Sequence, residues 1–249
     1  MQVVKYNASG NDFVIFHTFI KKDYSKLAQK LCHRQEGIGA DGLIVLLPNA
    51  TVDFEWLFYN SDGSVALMCG NGSRACAHYA YTQGLAPASM SFLTGAGKIT
   101  SLVQGDVVAS QLTPPKELAK SFSQEGREWY FYDTGVPHLV TLVDDLSAFD
   151  KTLAAKMRYA HNANVNFVFF DKKCLHVRTY ERGVEDETGA CGTGMAASFY
   201  ALYLLGLVGD HAKVYPTSKE ELELSVRDGV LFLKGKVSKI FETQLERFV

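Results

Sequence analysis

A chain of 249 residues, 47% hydrophobic and 21% charged, has ample apolar material for one large domain or two small ones. A net charge of −2 gives no electrostatic ground for binding nucleic acid or an anionic membrane, and no apolar run reaches membrane-spanning length, residues 199–208 being broken by Gly206. The start, Met1-Gln2-Val3-Val4-Lys5, carries no leader pattern, so a cytoplasmic location is expected. Five cysteines without C-x-x-C spacing point to reduced thiols rather than a disulfide framework or a zinc site.

In chain order, residues 2–6 read as a strand, residues 7–12 as a turn and residues 13–17 as a second strand. Residues 22–32 place apolar side chains at helical spacing, with Asp23 or Ser25 as cap. A glycine-rich loop at 37–42 enters a strand at 43–47, and a strand at 54–60 ends in the turn Asn60-Ser61-Asp62-Gly63-Ser64. A helix then runs from Cys69 to about Gln83, stopped by Gly84, and residues 91–112 alternate as antiparallel strands. Thr113-Pro114-Pro115 is the clearest break, dividing the chain into 1–114 and 115–240. Beyond it come a strand at 129–132, a turn at 133–138, a strand at 139–143 and a helix near 150–157. A hairpin at 164–171 and 174–181, a loop at 182–190, a second helix and alternating strands over 212–242 complete the chain.

Those two helices start alike. Cys69 opens C-G-N-G-S-R-A-C-A-H-Y-A-Y-T-Q-G-L and Cys191 opens C-G-T-G-M-A-A-S-F-Y-A-L-Y-L-L-G-L, each with a tyrosine (Tyr59, Tyr180) about ten residues upstream in a strand. The repeat predicts two similar α+β halves. A thiol just ahead of a helix meets unpaired N–H groups and the positive end of the dipole, which favour the thiolate over a thiol titrating near ~8.5. The same N–H groups can grip a carboxylate, and the glycines let it approach closely. If the halves face each other, two sulfurs flank one α-carbon. One takes the α-proton as base and the other returns a proton on the opposite face, which inverts the stereocentre. Cys32, Cys76 and Cys174 lack this setting and read as small hydrophobes. A redox pair would call for C-x-x-C, which is absent.

The motifs G-N-D-F at 10–13, G-I-G-A-D-G at 37–42, Y-N-S-D-G-S at 59–64, M-C-G-N-G-S-R at 68–74, P-H at 137–138, N-V-N-F at 164–167 and Y-E-R-G-V-E-D-E-T-G-A-C-G-T-G at 180–194 follow in an order that resembles the diaminopimelate epimerase family. The resemblance implies an α+β fold of two pseudo-symmetric halves, each a mainly antiparallel sheet or barrel wrapped around a central helix, with the active site in the cleft between them. It implies an isomerase that interconverts L,L- and meso-diaminopimelate for lysine and peptidoglycan precursors, without a cofactor and without a metal. Cys69 and Cys191 would be the catalytic pair, with His138 and Glu181 tuning them. Gly70, Asn71, Gly192 and Thr193 would hold the reacting carboxylate. Asn11, Asn60, Asn164, Glu181 and Arg182 would read the rest of the substrate, Arg182 by a bidentate pair with the distal carboxylate. The proline racemase relatives share the paired cysteines but usually show C-G-H-G.

Three departures accompany this likeness. Val136 stands where many relatives have Asn, Gly42 where some have Gln, and the Glu185-Asp186-Glu187 loop is longer and more acidic. As in the family, residues from about 241 to 249 are expected to return to the first half. The partner expected is the small-molecule substrate, with a homodimer as the assembly considered, and neither nucleic acid nor membrane.

Overall fold

The computed structural model describes residues 1–246, so the last three positions of the expected returning segment lie outside the described residues. The chain divides into two units, Met1–Gln111 with the chain from Lys234 on, and Leu112–Leu233. The first division falls just ahead of Thr113-Pro114-Pro115, and the return begins earlier than residue 241.

In the first unit β1 (Gln2–Ala8) pairs antiparallel with β2 (Asn11–His17), and β2 pairs parallel with β3 (Gly42–Leu47). The ladder continues antiparallel to β4 (Phe54–Asn60), parallel to β5 (Ser89–Thr94), then antiparallel through β6 (Gly97–Gln104) to β7 (Val107–Gln111). A parallel pair needs a crossover, and α1 (Ser25–Cys32) and α2 (Gly70–Thr82) lie in the two crossovers.

The second unit repeats the plan. β8 (Lys116–Gln124) pairs antiparallel with β9 (Arg127–Asp133), β9 antiparallel with β10 (Pro137–Leu142), and β10 parallel with β11 (Asn164–Phe170). β11 pairs antiparallel with β12 (Cys174–Glu181), whose neighbours are the short antiparallel β13 (Asp186–Thr188) and the parallel β14 (His211–Pro216); β14 pairs antiparallel with β15 (Leu222–Arg227). Here α3 (Lys151–His161) and α4 (Gly192–Leu204) occupy the crossovers. The division at residue 233 falls inside one strand, β16 (Val230–Lys236), with no interruption of secondary structure to mark it. β17 (Ser238–Gln244) then pairs antiparallel with β1. From β1 and from β9 the ladders run through the same order of antiparallel and parallel pairs.

Helices α2 and α4 are each packed by several strands of their own unit: β1, β2, β6 and β7 around α2; β9 to β12 and β14 around α4. That is why α4 is apolar on nearly every face, burying Met195, Phe199, Ala201 and Leu202. Strand β3 shows the layering most directly. Ile44 and Leu46 enter the core around α2, while Leu43 and Val45 enter a second core beneath α1.

The structure corrects three local readings. Pro137-His138 opens β10 instead of closing a turn, since the first residue of a strand tolerates proline. Helix α1 begins at Ser25 after Tyr24, with no side-chain cap; the Asp23 carboxylate accepts from the Ser25 N–H at 2.9 Å. Residues 116–124, exposed along most of their length, form strand β8.

Candidate active site

In the first unit Cys69 is the N-cap of α2, in extended backbone (φ −152°, ψ 118°), and its sulfur accepts from the Gly72 N–H at 3.4 Å. Sulfur here takes the place a serine or aspartate oxygen usually fills. The Asn11 Oδ1 lies 4.0 Å from this sulfur and 3.4 Å from the Asn71 Nδ2. Both amides are oriented by charge. Asn11 donates to the Asp41 carboxylate at 2.6 Å, so its oxygen faces Cys69. Asn71 Oδ1 accepts from the fully buried Arg74 at 2.6 Å, which also donates to Ser9 at 2.7 Å.

Asp41 is held in turn by Arg34 at 2.7 Å, and Arg34 also grips Asp12, which Lys5 meets at 2.7 Å. Burial alone would raise the Asp12 carboxyl, but Arg34 and Lys5 outweigh it and hold it at about 2. Asn60 is placed differently: its amide donates to Ser64 Oγ at 2.9 Å within its own exposed turn. Gly42 has a packing reason, because a Cβ there would stand 2.5 Å from the Phe58 ring and 2.8 Å from the Tyr59 carbonyl.

In the second unit Cys191 is the N-cap of α4 (φ −118°, ψ 107°), but its sulfur does not cap the helix as that of Cys69 does. It lies 3.5 Å from the Thr193 hydroxyl, which lies 2.8 Å from His138 Nε2. The Thr193 carbonyl accepts from Thr134 at 2.8 Å, which holds the first turn of α4. Asn164 Oδ1 accepts from the Arg182 backbone N–H at 2.7 Å, and the Arg182 guanidinium donates to the Asn162 carbonyl at 2.8 Å. Glu181 accepts from Thr188 at 2.8 Å; burial pushes its carboxyl above the usual range and the Thr188 bond opposes this. Each acid of the 185–187 loop has a basic partner: Arg158 for Glu185, Lys151 for Asp186 and Arg178 for Glu187. Their charges are spent on holding the loop.

Sequence reasoning gave no role to Arg74, Asp41, Thr134 or Asn166. The signal for Asn166 was present, because Asn164 and Asn166 share one face of an otherwise apolar strand.

His138 is fully buried, and burial pushes it down to about 3, with the Arg182 charge acting in the same direction. From pH 6.5 downward the unfolded chain takes up a proton at this ring that the folded chain refuses. Stability is therefore lost as pH falls, by about 1.4 kcal/mol per unit and about 2 kcal/mol by pH 5. Burial lowers His78 as well and adds to the slope, whereas Asp12 contributes its loss only below its ordinary 3.8. Urea midpoints from pH 7 to 5 should fall more steeply in the native protein than in His138→Gln; parallel slopes would remove His138 from the account.

The family model of diaminopimelate epimerase matches residues 3–117 and 130–240. The chain belongs to the diaminopimelate epimerase family. The diaminopimelate epimerase of Nitratiruptor sp. is 60% identical over 244 residues, 98% of each chain, and that of Campylobacter jejuni subsp. jejuni is 51% identical over 249 residues, the whole of both. Among solved structures, a Bacillus anthracis phenazine biosynthesis protein of the PhzF family superposes with a TM-score of 0.73 at 14% identity, covering 98% of both chains. That likeness carries the fold alone. Among the described residues of this family member, no helix is long and apolar enough to cross a membrane.

Proposed function

We propose that this chain interconverts L,L- and meso-diaminopimelate by moving the α-proton between Cys69 and Cys191, without a cofactor. The observation that supports this best is that each thiol is the N-cap of a helix whose first turn is glycine-bearing, in the same place in two copies of one topology. In the proposed reaction one sulfur enters as thiolate and takes the α-proton, becoming a thiol. The other, entering as thiol, delivers its proton to the opposite face and becomes the thiolate, so the reverse reaction exchanges the roles. Backbone N–H groups at Gly70-Asn71 and Gly192-Thr193 hold the carboxylate and stabilise the charge that gathers on it as the C–H bond breaks.

Distal recognition falls to Asn11, Asn60, Asn164, Glu181 and Arg182, with His138 and Glu181 adjusting the thiols. The proposed setting is the cytoplasm and the proposed assembly a homodimer; light scattering that returns the mass of one chain would remove the dimer.

Proton NMR in heavy water tests the reaction. L,L-diaminopimelate with the protein alone should lose its α-proton signal while the meso isomer appears, and proline and glutamate should keep theirs. Absence of exchange, or equal exchange of proline, sinks the proposal.

A further inference from the structure

The ring of His138 meets three polar groups whose hydrogens can be counted. Asn166 Nδ2 lies 3.1 Å from Nδ1, Asn164 Nδ2 lies 3.3 Å from Nε2, and Thr193 Oγ1 lies 2.8 Å from Nε2. Two amides cannot both donate to one neutral imidazole, which has a single bare nitrogen. Asn166 decides between them. Its Nδ2 also donates to the Leu139 carbonyl at 2.8 Å, which rules out the flipped amide, and its Oδ1 accepts from Thr179 at 2.9 Å. Each amide keeps one hydrogen beyond its carbonyl bond, Asn166 to Leu139 and Asn164 to Pro137 at 3.3 Å. Among the described residues, however, a proton on Nδ1 would face the Asn166 donor alone, at the shorter distance, whereas a proton on Nε2 has the Thr193 hydroxyl at 2.8 Å to accept it.

We propose that Asn166 is a positioning residue for the catalytic thiol: it keeps His138 neutral with the proton on Nε2, so that Nε2–H donates to Thr193 and the Thr193 hydroxyl hydrogen is left for Cys191. The inference rests on Cys191 being one of the two acid–base groups. Three residues, none of them an acid, thereby deliver a hydrogen-bond donor to the sulfur, and a thiolate at Cys191 gains from it. The Asn166 side chain is fully buried and cannot drift, since the first turn of α4 is pressed against it: a Cβ at Gly194 would run into Asn166 Oδ1 and stand 3.1 Å from Thr179 Oγ1.

Long-range proton–nitrogen NMR of the full-length, nitrogen-labelled protein reads the tautomer directly. In the native protein the His138 signals should show a protonated Nε2 and a bare Nδ1. In Asn166→Asp, whose carboxylate can only accept there, the proton should move to Nδ1. A native protein with the proton on Nδ1 overturns the inference without any assay.

The activity arm uses diaminopimelate. Asn166→Asp and Thr193→Val should each lower kcat by about 10–100-fold with KM little changed, the range of one hydrogen bond to a charged acceptor, while Thr193→Ser, which keeps the hydroxyl, should restore kcat. Undiminished kcat in Thr193→Val overturns the relay. If the native protein exchanges no α-proton, the activity reading fails instead, and the tautomer still decides the inference.

Discussion

Cys69→Ala and Cys191→Ala are each expected to lose epimerisation by at least about 10³-fold, because in the proposed two-base reaction each removes the group that acts on one face of the α-carbon. The loss should be stereochemically informative. A variant with one thiol left has a base on one face and no acid on the other. It can remove the proton and return a solvent deuteron to the same side, which exchanges label without inversion. Cys69→Ala and Cys191→Ala should therefore wash label into opposite configurations, while the double variant does neither. The measurement is deuterium incorporation into L,L- and meso-diaminopimelate, resolved by chiral chromatography. Inversion at more than a few per cent of the native rate in either single variant is incompatible with a two-base scheme. Cys76→Ala is the contrasting case: that thiol is fully buried in the core around α2, where burial alone drives its ionisation well out of reach, and its loss should affect packing only.

How far the sequence spoke depends on how local each signal is. The starts of α2 and α4 were legible because a small polar residue followed by two glycines is a local instruction, and its repetition 122 positions later doubled it. The paired glycine-flanked strands were legible for the same reason. Strand β8 was not, because K-E-L-A-K-S-F-S-Q buries almost nothing and so shows no alternation; its partner β9 decides its conformation. Strand β13 hid inside an acidic stretch that reads as loop, and the pairing of Thr188 with Thr179 and of Asp186 with Glu181 is a tertiary fact. The polar layer behind the thiols was the least legible. Asp41 orients Asn11 across thirty positions of sequence, and Asn166 reaches the His138 ring on the neighbouring strand. Nothing in a one-dimensional string states which amide hydrogen faces which acceptor. What the string does show is a pair of asparagines on one face of a strand that otherwise carries valine and phenylalanine, and buried amides require partners.

The glycine of this layer gives the second large effect. Gly194→Ala is expected to destabilise the second unit by about 3 kcal/mol, a fall in Tm of roughly 10 °C. Two effects oppose each other at this site. Alanine is favoured over glycine by up to about 1 kcal/mol in a helix interior and by less in the first turn, where Gly194 stands, which by itself predicts a small gain. Against that, the new methyl meets Asn166 Oδ1 and comes within 3.3 Å of its Cγ and 3.1 Å of Thr179 Oγ1. The neighbour is not the loose end of a flexible chain. It is an amide held by the Leu139 carbonyl, by the His138 ring and by Thr179, all inside the protein. Relieving the clash breaks one or more of these bonds and strands buried polar atoms, at about 1–3 kcal/mol each, so the clash outweighs the helix propensity. Gly209→Ala, where a Cβ meets nothing within 4 Å, supplies the reference and should leave Tm unchanged or slightly raised. Calorimetry on the two variants separates the effects: if Gly194→Ala melts with Gly209→Ala, the amide layer is softer than its hydrogen bonds imply, and the fall in epimerase activity expected from displacing Asn166 should vanish with it.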